Sequence, residues 1–297
     1  MFALIWSILR NKCIRSDGRT WPWPASHLGR KIHKLLFQLK KRLTREVEIV
    51  DEESSFRFRC ENITEFGRCM KMFVKEPGTC DWIRNSVKEG DVFYDVGANI
   101  GIYTVLAANR VGKSGRVFAF EPHSPTFSRL LENIAANHIE GVVAACNFAL
   151  HETQGFFPFV FSSPDAGASN SQLDSQADPG GDKAPHGISE LKYSASVDSL
   201  VAAGGSFPAP DHVKIDVDGN ELLILRGMAR LLQSGNGPRS IQVEINDQLR
   251  ADILAFMQSH NYSLAYEHHT RKGAELLARG GHPEEHAYNM IFRPAAP

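Results

Sequence analysis

From residue 91 onward, short continuous apolar runs alternate with longer stretches of helical periodicity. Val92-Phe93-Tyr94, "RVFAFEP" at 116–122, "GVVAACNFAL" at 141–150, "HVKIDVDG" at 212–219 and "SIQVEIN" at 240–246 read as strands covered on both faces. Between them lie "IGIYTVLAANR", "TFSRLLENIAANH", "ELLILRGMARLLQS" and "DQLRADILAFMQSH", each with helical spacing. Ser124-Pro125 supplies an N-cap and a proline at the first helical position. This alternation predicts an α/β fold with a doubly wound, mostly parallel sheet and right-handed crossovers. "YSLAYEHH" and "AYNMIFR", separated by a polar loop, predict an antiparallel hairpin at the sheet edge.

The flanking segments are less regular. "SFRFRCENITEFGRCMKMFVK" at 55–75 predicts one or two short strands, and "PGTCDWIRNSVKEGD" at 77–91 a short helix ending at Gly90. Residues 162–190, rich in Ser, Asp, Gly and Pro, predict a long loop or lid. Residues 1–50 read as a basic N-terminal extension to a domain at 51–297. "MFALIWSIL" is too short to span a bilayer, and its apolar run precedes the basic residues, the reverse of a signal peptide. Leu and Ile mixed with Lys and Arg at 27–45 suit peripheral contact with a membrane surface or an acidic partner.

Composition narrows the function classes. A formal net charge of −1 over 297 residues leaves no bulk electrostatic footprint for nucleic acid. Five cysteines, without a C-x-x-C pair, argue against a disulfide framework or zinc site and fit free thiols in a reducing, cytoplasmic compartment. Oligomeric state leaves no trace in the sequence.

The chemistry begins at "DVGANIG", residues 95–101, directly after the first buried run. A dinucleotide fingerprint needs G-x-G-x-x-G there. Aligned on Gly97, the second and third glycine positions hold Asn99 and Ile102, which argues against a pyrophosphate and hence against a nicotinamide-dependent oxidoreductase. Glu121, twenty residues after Gly101, stands where a carboxylate accepts both ribose hydroxyls. A nucleoside without phosphate but with an amino-acid tail, S-adenosylmethionine, fits this combination. Asp95, Gly97, Asn99, Gly101 and Glu121 are therefore cofactor-binding candidates. Tyr103, one turn into the following helix, and Asn147, at the end of the third strand, join them. The competing explanations are local: glycines that only permit a sharp turn, and an Asp95 that only caps a helix.

"FYDVGANIGIYTVLAA", "GRVFAFEPHSPTFSRLLENI", "HVKIDVDGNELLILRGM" and "SIQVEIN", in that order, resemble the FkbM family of methyltransferases over roughly residues 70–295. The resemblance implies a Rossmann-like, seven-stranded class I methyltransferase fold with its last strand antiparallel. It also implies S-adenosylmethionine as cofactor and methyl transfer to a hydroxyl of a sugar, glycan or natural-product small molecule. Asp218 stands where the family usually has Glu. A non-catalytic binding protein retaining the fold is the remaining alternative.

Hydroxyl methylation needs orientation and a proton acceptor. Asp216, ending the fourth strand, and Glu244, ending the fifth, are the catalytic candidates. Together with Asn246 and Asp247 they offer oxygen ligands for a divalent metal, a weak signal by itself, and no metal ligand is assigned. Asp218 and Glu221 match a capping box for the next helix. Glu76 and Thr79 are placed to close over the cofactor, with Thr79 capping its own helix as the alternative, and His268 reads as a solvated surface histidine.

Overall fold

The computed structural model describes residues 34–35, 38, 45–51, 54–169, 171–173, 188–245, 249–280 and 288–295. The chain divides into two compact units, Met1–Glu46 and Val47–Pro297. "MFALIWSIL" lies outside the described residues, as does the 27–45 segment apart from Lys34, Leu35, Gln38 and Arg45. No helix among the described residues is long and apolar enough to cross a membrane.

The described elements begin with a two-stranded sheet, β1 (Arg45–Asp51) and β2 (Ser54–Cys60), followed by α1 (Ile63–Met70) and α2 (Pro77–Ser86). Then come β3 (Val92–Val96), α3 (Ile102–Val111), β4 (Arg116–Phe120), α4 (Ser124–Ala136) and β5 (Val143–Cys146). A smaller sheet is built from β6 (Ala149–Leu150), β7 (Gly155–Phe161), β8 (Ser171–Leu173) and β9 (Ile188–Ala195). The chain returns through α5 (Val197–Ala202), β10 (His212–Ile215), α6 (Glu221–Arg226), α7 (Ala229–Gln233), β11 (Ser240–Ile245) and α8 (Arg250–Ser259). It ends with β12 (Tyr262–His269), α9 (Arg271–Ala278) and β13 (Tyr288–Pro294).

The main sheet has seven strands in the order β12-β13-β11-β10-β3-β4-β5. β10, β3, β4 and β5 pair in parallel, as do β10 and β11, whereas β13 inserts antiparallel between β11 and β12. The doubly wound expectation and its antiparallel last strand both hold. Because β4 and β10 leave β3 on opposite sides, the end of β3 is the topological switch point, where such sheets bind ligands. Each face of the sheet carries a helical layer. Val105, Leu106, Leu130 and Ile134 of α3 and α4 pack with Trp82, Ile83 and Phe58 on one side. Leu222, Leu225, Leu231, Ile253 and Met257 cover the other.

Several local expectations are corrected. Residues 63–70 are helical: Asn62 accepts the Glu65 N–H at 2.9 Å, and the Glu65 carboxylate returns to the Asn62 N–H at 3.1 Å, a capping box that "NITE" encodes. The helix after residue 77 stops at Ser86. The N-cap of α4 is His123, because the Ser124 hydroxyl is committed to Glu190 at 2.8 Å. The helix expected over 221–234 is two, since the Asp198 carboxylate accepts the Arg230 and Leu231 N–H groups at 2.9 and 2.8 Å and starts a new helix there. The presumed polar loop before β13 contains α9. The 162–190 segment is not one loop, for β8 and the start of β9 fall inside it; residues 174–187 lie outside the described residues. Pro158 conceals β7, but β8 pairs with β7 only from Phe159 onward, so the proline breaks no ladder there.

Candidate active site

A cleft of about 270 Å³ opens at the carboxyl ends of β3, β4 and β10, roofed by the turn at 166–169. Gly97, Asn99, Glu121, Asp216 and Glu244 line it, so five of the nine candidates from sequence meet there. Asp95, Gly101, Tyr103 and Asn147 stand behind that wall.

The glycine loop is shaped first by its own fold. Gly97 has φ +79°, and a Cβ on it would lie 1.9 Å from the Asp216 carbonyl oxygen, so β3 and the end of β10 meet there with no room for a side chain. Gly101 has φ +91° and abuts Leu130 of α4. Asn99 also adopts a left-handed conformation, φ 51°, which Asn tolerates better than most residues. Its side chain accepts the Ile100 N–H at 2.9 Å and donates to the Ala168 carbonyl at 3.2 Å, tying the loop to the roof.

Glu121 is the buried anion of this side. Its two oxygens accept the backbone N–H groups of Asn99 and His123, each at 2.8 Å. Burial nevertheless pushes its carboxyl up to about 7. Asn147 supports rather than faces the cleft: its amide donates to the Glu121 and Pro122 carbonyls and accepts from Lys192 at 3.0 Å. Arg68 of α1 completes the roof, donating to the Gly167 carbonyl and the Ser169 hydroxyl, both at 2.6 Å.

The opposite side is organised by charge. Lys214, in the middle of β10, is 1% exposed and places Nζ 2.8 Å from Asp216 Oδ2 and 3.8 Å from Asp95 Oδ1. The same ammonium lies 4.9 Å from the centre of the Tyr103 ring. Asp95 Oδ2 accepts the Thr104 hydroxyl at 2.6 Å, while its Oδ1 is buried without a hydrogen-bond partner. Burial raises Asp95, against the pull of Lys214. Asp216 moves the other way: burial opposes its charge, but Lys214 and Lys75 hold it well below the usual carboxylate range. Glu244 bonds to Asp216, and burial together with that neighbouring charge pushes it far upward. The two carboxyls titrate together, Asp216 drawn toward the charged form by Lys214 and Glu244 toward the protonated form by burial and by Asp216.

Oxygens of Glu76, Asp216 and Glu244 lie within 4.8 Å of one another, the donor type of a hard cation. Lys75 bridges to Glu76 and Lys214 to Asp216, so two ammonium groups already balance the cluster. No step is derived through a metal ion. Asn246 and Asp247 lie outside the described residues.

Lys75, Lys214 and Arg68 are absent from the sequence-based candidate set. Lys214 had a visible signal, a lysine inside an otherwise apolar buried strand. The Asp218–Glu221 capping box is not formed: Asn220 is the N-cap of α6, and Asp218 accepts the Ser171 N–H at 2.9 Å. Thr79 is not a cap; its hydroxyl meets His268 at 3.2 Å and accepts from Gln242 at 3.1 Å. His268 is not solvated, since its ring packs against Gly78 and its Nδ1 is buried.

The sheet order, with its antiparallel insertion, and the cleft at the switch point are those of a class I, Rossmann-like methyltransferase architecture. The methyltransferase FkbM domain profile matches residues 95–264, and the chain belongs to that family. Hexuronic acid methyltransferase AglP of Haloferax volcanii is 33% identical over 183 residues, covering 61% of this chain and 67% of that protein. The 31-O-demethyl-FK506 methyltransferase FkbM of Streptomyces tacrolimicus is 29% identical over 211 residues, covering 63% and 78%. A solved SAM-dependent O-methyltransferase of Thermotoga maritima aligns with TM-score 0.43 at 14% identity, covering 84% of this chain and 78% of that one. Family membership sets aside the nicotinamide-dependent alternative.

Proposed function

We propose that this protein methylates an oxygen, a hydroxyl of a sugar, glycan or natural-product small molecule, with S-adenosylmethionine as donor. The observation that carries the proposal is the Asp216–Glu244 pair, half-buried together in the same cleft as Glu121. Glu121 holds the ribose hydroxyls, and Gly97 and Asn99 shape the wall beside them. The bound donor supplies a methyl group activated on a sulfonium, so the protein's share is alignment and management of one proton. Asp216, kept ionised by Lys214, accepts the hydroxyl hydrogen and directs an oxygen lone pair at the methyl carbon. As that bond forms and the methyl–sulfur bond breaks, its electron pair staying on sulfur to leave a neutral thioether, the hydroxyl becomes strongly acidic, so even a weakly basic carboxylate takes its proton. Glu244 keeps its own proton and holds Asp216 in place. The relatives' names point to oxygen-rich acceptors, a hexuronic acid and a 31-O-demethyl compound.

The test is a panel of neutral sugars, uronic acids and hydroxylated natural products incubated with methyl-labelled S-adenosylmethionine. The expected product is a methyl ether that survives mild alkali. Label recovered only as an alkali-labile methyl ester, or only on nitrogen, would refute hydroxyl methylation.

A further inference from the structure

Lys214 stands out among the charged groups of the site because it reaches carboxylates on two different strands. It occupies the middle of β10, between Val213 and Ile215, both fully buried. An ammonium in such a place is costly to desolvate and persists only where it is paired. Here it has two carboxylates from different strands, Asp216 at 2.8 Å and Asp95 at 3.8 Å, and an aromatic face, Tyr103, at 4.9 Å. Asp95 begins the glycine loop on β3; Asp216 lies at the cleft beyond β10. One cation thus joins the element shaped for the donor to the element placed for the acceptor.

We propose that Lys214 is the positioning residue of methyl transfer: it fixes the direction of Asp95 and Asp216 together, so that the cationic half of the donor binds beside an Asp95 carboxylate already aimed while Asp216 stays turned to the acceptor. The inference rests on the S-adenosylmethionine reading of the cleft. Arg68, Glu121 and Asp218 also line the cleft. Glu76, at the start of α2, and Glu244, at the end of β11, are the neighbouring carboxyl groups. Lys75 is engaged with Glu76 and reaches Asp216 only at longer range. Without Lys214, Asp95 and Asp216 would be two buried like charges close together, and a proton would settle on one of them. The donor's sulfonium and ammonium would then have to displace that proton on binding.

Proton displacement is measurable. Calorimetry in two buffers of different ionisation enthalpy gives the protons released when S-adenosylmethionine binds, and again when 5′-methylthioadenosine binds. The second ligand has the same adenosine but neither amino-acid tail nor sulfonium, so it also reports the integrity of the nucleoside side. In the wild type the two ligands should differ by about a quarter of a proton or less at pH 7. In Lys214→Met the difference should rise to about half a proton or more, and S-adenosylmethionine should bind about tenfold or more weakly, with 5′-methylthioadenosine within about twofold of wild type. Lys214→Arg, which keeps the charge, should restore most of the affinity and the small proton difference. If the single Met variant does not fold, Lys214→Gln, which removes the charge but keeps a polar group, is read the same way. An unchanged affinity and proton count in Lys214→Met would overturn the proposal, as would equal loss of both ligands in a folded variant. Wild-type protein that binds neither ligand would overturn the donor assignment as well.

Discussion

The Glu121 carboxylate receives the backbone N–H of Asn99 at 2.8 Å, joining the end of β4 to the glycine loop after β3. Twenty-two residues separate the two in sequence, and the bond holds an anion at the place where a ribose would donate its hydroxyls. Glu121→Ala should therefore weaken S-adenosylmethionine binding by at least tenfold, by loss of a charged acceptor and release of the loop. Calorimetry on folded variant protein checks this, and an affinity within twofold of wild type would remove the ribose assignment.

The same residue predicts a pH dependence. Burial lifts its carboxyl from 4.5 to about 7, so the form that accepts ribose hydroxyls prevails only above neutrality. Donor affinity should rise about tenfold from pH 6 to pH 8. The stability sign is opposite: the folded state holds this proton more tightly than the unfolded chain, so Glu121 favours folding at low pH and loses that contribution as pH rises through 7. Flat affinity across this range would show that Glu121 does not meet the donor.

Asp216→Asn and Glu244→Gln separate chemistry from binding. Each should lower turnover on an identified acceptor about a hundredfold or more, while donor affinity changes only a few-fold. The comparison of kcat with donor Kd decides it. A parallel loss in both quantities would move the pair from the acceptor to the donor.

Chelation should leave activity unchanged. Lys75 and Lys214 already neutralise the Glu76–Asp216–Glu244 cluster, so a divalent ion would have to displace an ammonium to enter. Activity lost in EDTA and restored by Mg²⁺ would overturn this account of the cluster.

Gly97→Ala tests the tightest point of the fold. The added methyl would lie 1.9 Å from the Asp216 carbonyl oxygen at a left-handed backbone position. The expected cost is about 3 kcal/mol or more, seen as a large fall in Tm with or without donor. A wild-type melting curve would mean that the β3–β10 approach is looser than described.

Much of the architecture is legible before any coordinates. The strands after residue 91 are apolar on both faces, and a chain that alternates such runs with amphipathic helices has few ways to bury them. Asp95, Gly97, Asn99, Gly101 and Glu121 are recognisable because a strand-to-helix turn and an acidic residue at fixed spacing are local features. The elements that escaped are those whose partners lie far away in the chain. β8 has three residues, and its ladder exists only because β7 lies beside it. Ser124 has the sequence of a cap, yet Glu190 takes its hydroxyl.

The sequence by itself determined the class of fold and the kind of donor, because periodicity and motif spacing are properties of neighbouring residues. Only the tertiary structure decided how charge is distributed at the site. Lys214 becomes significant when β3 and β10 pair and bring Asp95 and Asp216 to one ammonium. Lys75 becomes relevant when Glu76, Asp216 and Glu244 converge from separate elements. Ionisation in a buried site depends on desolvation and on charges a few ångströms away in space, and a linear sequence specifies neither until the chain has folded.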